Sequence, residues 1–185
     1  MTTISGDKIG GFKMASRHLV PTVIVSGFPA IGKSFIAKKF PVMARDLESS
    51  DFHWKKTPTG EWELDENGNK IPNENWPANY IENIKALEKS GMYRVVFVSS
   101  HELIRKEMAK AKIRYSNIFP ENTPEMKKII IDRCRMRQSP PDFIENLDKN
   151  WNSYIESLVK DTGAVKNVPL NPQSIEMWSG WIFME

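Results

Sequence analysis

The sequence predicts an α/β chain, a parallel sheet covered by helices, and three observations carry that expectation. Strand-like and helix-like stretches alternate along most of the 185 residues, the pattern of a sheet whose crossovers pack on its faces. The run Tyr93-Arg94-Val95-Val96-Phe97-Val98-Ser99-Ser100 is continuously apolar through its middle, which suits a central strand buried on both sides. Third, Gly27-Phe28-Pro29-Ala30-Ile31-Gly32-Lys33-Ser34 matches G-x-x-x-x-G-K-[ST] in full and lies between a β-branched run and a helix-like stretch. That setting is the one a phosphate-binding loop requires.

The loop is the first element to justify. Glycine is needed at both ends because the backbone curls around phosphates, where a Cβ would intrude. Gly27, Ala30, Ile31, Gly32, Lys33, Ser34 and Phe35 would then present inward-pointing amides to ATP. Lys33 would reach the β- and γ-phosphates, and the Ser34 hydroxyl would ligate magnesium.

The strand ahead of the loop is expected over Thr22–Ser26 and the helix after it over Gly32–Phe40, followed by a short strand, Val42–Leu47. Residues 55–72 break the alternation, and Trp62-Glu63-Leu64, Glu66-Asn67-Gly68-Asn69 and Lys70-Ile71 read as a hairpin around an Asn-Gly turn. A helix follows Trp76-Pro77 and ends at Ser90-Gly91. After the central strand come a helix over His101–Ala111, a strand over Ile113–Phe119, and a helix capped by Thr123 with Pro124 at its first position. Ser139-Pro140-Pro141 interrupts, and Asp142–Lys160 reads as one long amphipathic helix with Phe143, Ile144, Leu147, Trp151, Tyr154, Ile155 and Leu158 inward. Val165–Leu170 is a last strand, and the Trp- and Met-rich tail from Ser174 to Glu185 is expected to pack back on the body.

The length suits one domain over 1–185, with its core at about 20–172, an excursion at about 52–80, a lid at about 127–145 and the tail at 173–185. A net charge of +3 fits an anionic ligand but argues for nucleic acid only weakly. No apolar run reaches the length of a membrane span, and Met1–Arg17 lacks a signal-peptide core. The expected compartment is therefore the cytoplasm. Cys134 is the sole cysteine, which excludes an internal disulfide and a cysteine-built zinc site.

Three constellations stand beside the loop. Asp46, Glu48 and Asp51 follow the second strand, and ligands sit at the carboxyl ends of parallel strands. Asp46 is read as a magnesium ligand and Asp51 as the carboxylate facing the acceptor hydroxyl, in preference to Glu48. Arg133 and Arg137 are four apart on one helix face; hinged at Ser139-Pro140-Pro141, they would form a lid aimed at the charge of a transferring phosphoryl group. The third is aromatic: Phe52, His53, Trp54, Trp62, Trp76 and Tyr80, with Asn75 and Asn79, either stack on a base or form the small core of the hairpin. Trp54, Trp76 and Tyr80, with Ser99 and His101 at the central-strand tip, are the acceptor-binding candidates. No carboxylate occupies that tip, and Glu102 lies just beyond it.

Gly27 to Ser34, Asp46 to Asp51 and the Arg133/Arg137 helix resemble the nucleoside monophosphate kinase group of small P-loop kinases. Asn75-Trp76-Pro77 with Tyr80-Ile81, Val96 to His101, Phe143-Ile144 and Asn150-Trp151 are similar, more narrowly, to adenylate-kinase-related proteins of phages and bacteria. The resemblance spans roughly residues 20–172. It implies a three-layer P-loop NTPase fold with a five-stranded parallel sheet in order 2-3-1-4-5, an excursion after strand two for the acceptor, an arginine lid, and use of ATP and Mg2+. The chain departs from the group in lacking an aspartate on the central strand and in having a hairpin in the excursion. The leading expectation is a kinase moving the γ-phosphate of ATP to a (deoxy)nucleoside monophosphate. The alternatives are a kinase acting on a polynucleotide end or modified base in DNA, and a nucleotide-binding regulatory module with weak or no turnover. Oligomeric state is left open.

Overall fold

The computed structural model describes residues 21–174; the N-terminal arm and the tail beyond Ser174 lie outside the described residues. Strands β1 (Val23–Gly27), β2 (Ala44–Asp46), β3 (Val95–Ser99), β4 (Tyr115–Pro120) and β5 (Asn167–Leu170) form a five-stranded sheet in the order β2-β3-β1-β4-β5. Every pairing is parallel, as the alternation of strands and helices predicts.

The apolar run of β3 feeds two cores. Val95 and Phe97 join the core under α1 (Lys33–Lys39), α5 (Pro124–Met136), α6 (Pro141–Lys149) and α7 (Trp151–Val159). Val96 and Val98 face the other core, with Tyr80, Ile81 and Ile84 of α3 (Ala78–Ser90) and Ile104 and Met108 of α4 (Glu102–Lys110). Val25 and Ile24 of β1 divide in the same way. Period-two alternation across a sheet covered on both faces buries Ile24–Gly27 of β1 and Val95–Val98 of β3.

The turn chemistry holds where it is local. Thr123 accepts from Met126 N at 3.2 Å, with Pro124 opening α5, and Gly91 closes α3 in the left-handed conformation at φ 57°. The excursion is a small antiparallel element with bridges Trp54–Pro72, Lys56–Trp62 and Leu64–Lys70. Its Asn-Gly turn has Gly68 at φ 79°. A short helix, α2 (Ser50–His53), precedes it.

One expected element divides. The segment read as a single helix over Asp142–Lys160 is two, α6 and α7, broken at Asn150. The Asn150 amide donates back to the Asn146 carbonyl at 3.0 Å, the competition with helical backbone bonding for which asparagine is disfavoured in helix interiors. Tyr154, expected inward, is 36% exposed.

Candidate active site

All site elements meet at the carboxyl edge of the sheet. β1 pairs with β3 on one side and β4 on the other, so the strand order reverses there, where open parallel sheets bind ligands. Gly27 lies opposite Ser99, and Asp46 opposite Phe97 one strand further out.

The loop is anchored by its apolar members. Ile31 is fully buried, and Phe28 packs edge-on against Trp151 at 5.5 Å. Gly32 (φ 109°) and Ala30 (φ 58°) both take left-handed conformations, which a non-glycine residue adopts only where its surroundings enforce it. A Cβ on Gly27 would meet Lys33 Cδ at 2.6 Å. The lysine stem thus lies over the glycine, with Nζ donating to the carbonyls of Gly27 (2.8 Å) and Phe28 (3.0 Å). Phe35 exposes 65% of its surface.

Ser34 Oγ donates to Asp46 Oδ2 at 2.5 Å, while the buried Oδ1 has no hydrogen-bond partner. A hydroxyl and a carboxylate with an oxygen to spare are hard donors that fit magnesium, which is normally held by one or two carboxylates together with phosphates and water. Among the described residues no group of three or more His, Cys, Asp or Glu side chains could hold a metal without such help. Burial lowers the pKa of Lys33, Asp46 and Glu48 oppose the shift, and Arg137 adds to it. Those charges all act on one ammonium.

A cleft of about 850 Å³ runs from the loop past β2 and the β3 tip to α6 and α7. Asp46, Glu48, His53, Trp76, Ser99, His101 and Arg137 line it. Asp51 does not: it is exposed and paired with Lys56 at 2.7 Å. The helical turn α2 carries it away from the loop, and Glu48 occupies the place expected of it. Glu102 lines the cleft but is paired with Lys106 at 2.6 Å.

Of the expected aromatic contacts, Trp76 lines the cleft and Trp54 does not. His53, not singled out as an acceptor contact, stacks between them, 4.3 Å from Trp54 and 4.9 Å from Trp76, nearly parallel to both. The stack is a small packed core with Trp76 and His53 on the cleft. Tyr80 is fully buried and closed to an acceptor. Its hydroxyl donates to the Leu47 carbonyl at 2.7 Å and accepts from Ser99 N at 3.0 Å, and burial pushes the phenol well above its ordinary pKa. His101 opens to the cleft, yet desolvation together with His53, and more weakly Lys33 and Arg105, lowers its pKa against the opposing pull of Glu48.

The segment expected as a lid is packed along part of its length, since Met126, Ile130, Ile131 and Cys134 bury one face of α5 in the main core. Arg133 reaches the loop, Nη1 to the Ala30 carbonyl at 3.4 Å, whereas Arg137 is exposed, beside Ser139 and 5.8 Å from the Phe143 ring. Arg137 alone of the two lines the cleft.

Sequence reasoning missed a buried network behind the β3 tip. Arg105 pairs with Asp161 at 2.7 Å and donates to the Ser100 and Ser157 carbonyls, both at 3.0 Å, and to the Ser157 hydroxyl. Asp161 also accepts from Tyr115 (3.0 Å), Asn117 (2.8 Å) and Gly163 N (3.0 Å). Its members lie far apart in sequence, and no local spacing announces them.

No family model matches the chain, and no curated protein does. Among solved structures it is similar to a gluconokinase from Sinorhizobium meliloti 1021, at 13% identity over 90% of this chain and 98% of that one, with a TM-score of 0.42. That likeness is too distant to carry a function across.

Proposed function

We propose that the chain is an ATP-dependent phosphotransferase acting on a nucleotide-type acceptor. The observation that carries the reading is the gathering of Lys33, Ser34, Asp46 and Arg137 around one cleft mouth at the switch point of the sheet. Phosphoryl transfer needs little covalent help from a protein; it needs the donor and acceptor held in line and the equatorial charge stabilised. The loop amides and Lys33 would hold the β- and γ-phosphates, and Arg137 would face the transferring group from across the cleft. Ser34 and Asp46 would hold magnesium, whose contribution when bound is to neutralise phosphate charge. The face of Trp76, backed by His53, offers a platform for a base.

A (deoxy)nucleoside monophosphate is the acceptor implied by the resemblance, and the aromatic wall supports it. The second enzymatic reading, an acceptor hydroxyl on a polynucleotide end or a modified base in DNA, is favoured by the carboxylates that line the cleft. Incubation with γ-labelled ATP and panels of monophosphates, nucleosides and oligonucleotides tests the proposal. Label is expected on one class and lost in Lys33→Ala. Tight ATP binding with no transfer to any class would leave a regulatory nucleotide-binding module instead.

A further inference from the structure

We infer that the acceptor side of the cleft receives an uncharged, hydroxyl-bearing end of a ring-containing molecule, as in a nucleoside or a strand end, rather than a phosphate. This rests on the phosphotransferase reading and concerns only which group meets the γ-phosphate.

The charges of the wall carry the inference. Arg105 borders the cleft, but its guanidinium is held by buried Asp161 and by backbone carbonyls. Setting aside that pair and Glu102, which Lys106 neutralises, leaves Lys33 and Arg137 as the cleft's cations among the described residues, against Asp46, Glu48 and Asp142. Both cations are also needed by the donor's own γ-phosphate. A monophosphate acceptor brings close to two further negative charges at neutral pH and, with Asp46 given to magnesium, would meet Glu48 and Asp142 with no further cation among the described lining residues. Like charges in a partly desolvated cleft repel strongly. A hydroxyl brings no charge, and a carboxylate suits it as a hydrogen-bond acceptor.

Glu48 is the residue best placed for that contact. It lies two residues past Asp46 and lines the same cleft as Lys33 of the phosphate loop and Ser99 and His101 at the β3 tip. Nearby Trp76, stacked on His53, supplies an uncharged surface for the ring of the acceptor. A wall that combines a ring platform with a carboxylate selects a neutral alcohol and rejects an anion.

Two measurements on the full chain test this. Quenching of tryptophan fluorescence by a deoxynucleoside and by its monophosphate gives their relative affinities. The nucleoside should bind tighter, and Glu48→Gln should narrow the gap by about tenfold, the scale of one partly screened like-charge contact. Transfer from γ-labelled ATP to nucleosides, monophosphates and oligonucleotides with free hydroxyl ends gives the second readout, and separates a free nucleoside from a strand end. Label on a hydroxyl, with kcat/KM falling about tenfold or more in Glu48→Gln, supports the inference. A monophosphate that binds tighter than its parent nucleoside, or is labelled equally well by Glu48→Gln, overturns it while leaving the phosphotransferase intact. Loss of the larger reading looks different, namely no Lys33-dependent consumption of ATP with any probe.

Discussion

Asp161→Asn removes the charge at the centre of the network behind the β3 tip and leaves its shape nearly unchanged. Arg105, with its side chain 4% exposed, would then be a buried cation without a counter-charge, a situation that costs about 3–5 kcal/mol. Arg105 keeps its bonds to the Ser100 and Ser157 carbonyls and the Ser157 hydroxyl, which places the expected loss near the lower end, about 3 kcal/mol. For a chain of this size that is a fall in Tm of roughly 6–12 °C. The pH dependence provides a sign test. Burial alone would raise the pKa of Asp161, but Arg105, Asn117 and Gly163 N outweigh it and hold the carboxyl below its ordinary value. A depressed carboxylate contributes stability that is fully present above the unfolded pKa, about 3.9, and lost as pH falls through the folded one. The Tm gap between parent and variant should thus be constant from pH 7 to pH 5 and narrow only below about pH 4. Thermal unfolding followed by circular dichroism across that range measures it. A gap under about 2 °C at pH 7, less than ~1 kcal/mol, would show that Arg105 tolerates its site unpaired. A gap closing between pH 7 and pH 5 would assign the linkage to another group.

Other perturbations test the site directly. Lys33→Ala should lower phosphoryl transfer at least ~100-fold, the scale of one preorganised electrostatic group; turnover within a few-fold of the parent would remove the loop from the chemistry. Arg137→Ala should cut kcat well beyond any change in ATP affinity, while Arg133→Ala, whose side chain touches the Ala30 carbonyl, should act chiefly by loosening the loop and weakening ATP binding. Equal kinetic profiles for the two variants would contradict that division. Asp51→Asn should leave turnover within about twofold, consistent with a surface change, and a large loss would restore it to the site. Tyr80→Phe leaves one carbonyl and one amide without their buried partner and should cost about 1–3 kcal/mol in denaturant unfolding, with an unchanged midpoint refuting the assignment.

The parts of this molecule written in short-range chemistry were readable from its sequence. The phosphate loop, the Thr123-Pro124 helix start, the Asn-Gly turn and the doubly buried β3 each depend on residues within a few positions of one another, so spacing alone carries them. The strand order came from the resemblance and agrees with the observed sheet. Direction was harder. Asp46, Glu48 and Asp51 are all acidic residues after β2, and only the turn of α2 decides that Glu48 faces the cleft while Asp51 pairs with Lys56. Tyr80 and Trp54 were grouped with Trp76 by composition, although burial closes Tyr80 and the stack on His53 turns Trp54 off the cleft. The Arg105–Asp161 pair joins residues 56 apart, a separation at which sequence pattern holds no information. The helix break at Asn150 was hidden because both halves keep the same apolar period.

The hydroxyl of Tyr80 has a consequence for folding fidelity. Sliding Val95–Val98 by two residues would keep each side chain toward its own core, so facing alone does not fix the alignment, but it would carry Tyr93-Arg94 or Ser99-Ser100 into the apolar layers. It would also strand the phenol, which bridges the Leu47 carbonyl just past β2 and the Ser99 amide at the end of β3. One hydrogen-bonding group thus acts as a vernier for the sheet, sharpening an alignment that burial sets coarsely. The same alignment sets Ser99 opposite Gly27 and Asp46 opposite Phe97, so misalignment would dismantle the cleft as it forms.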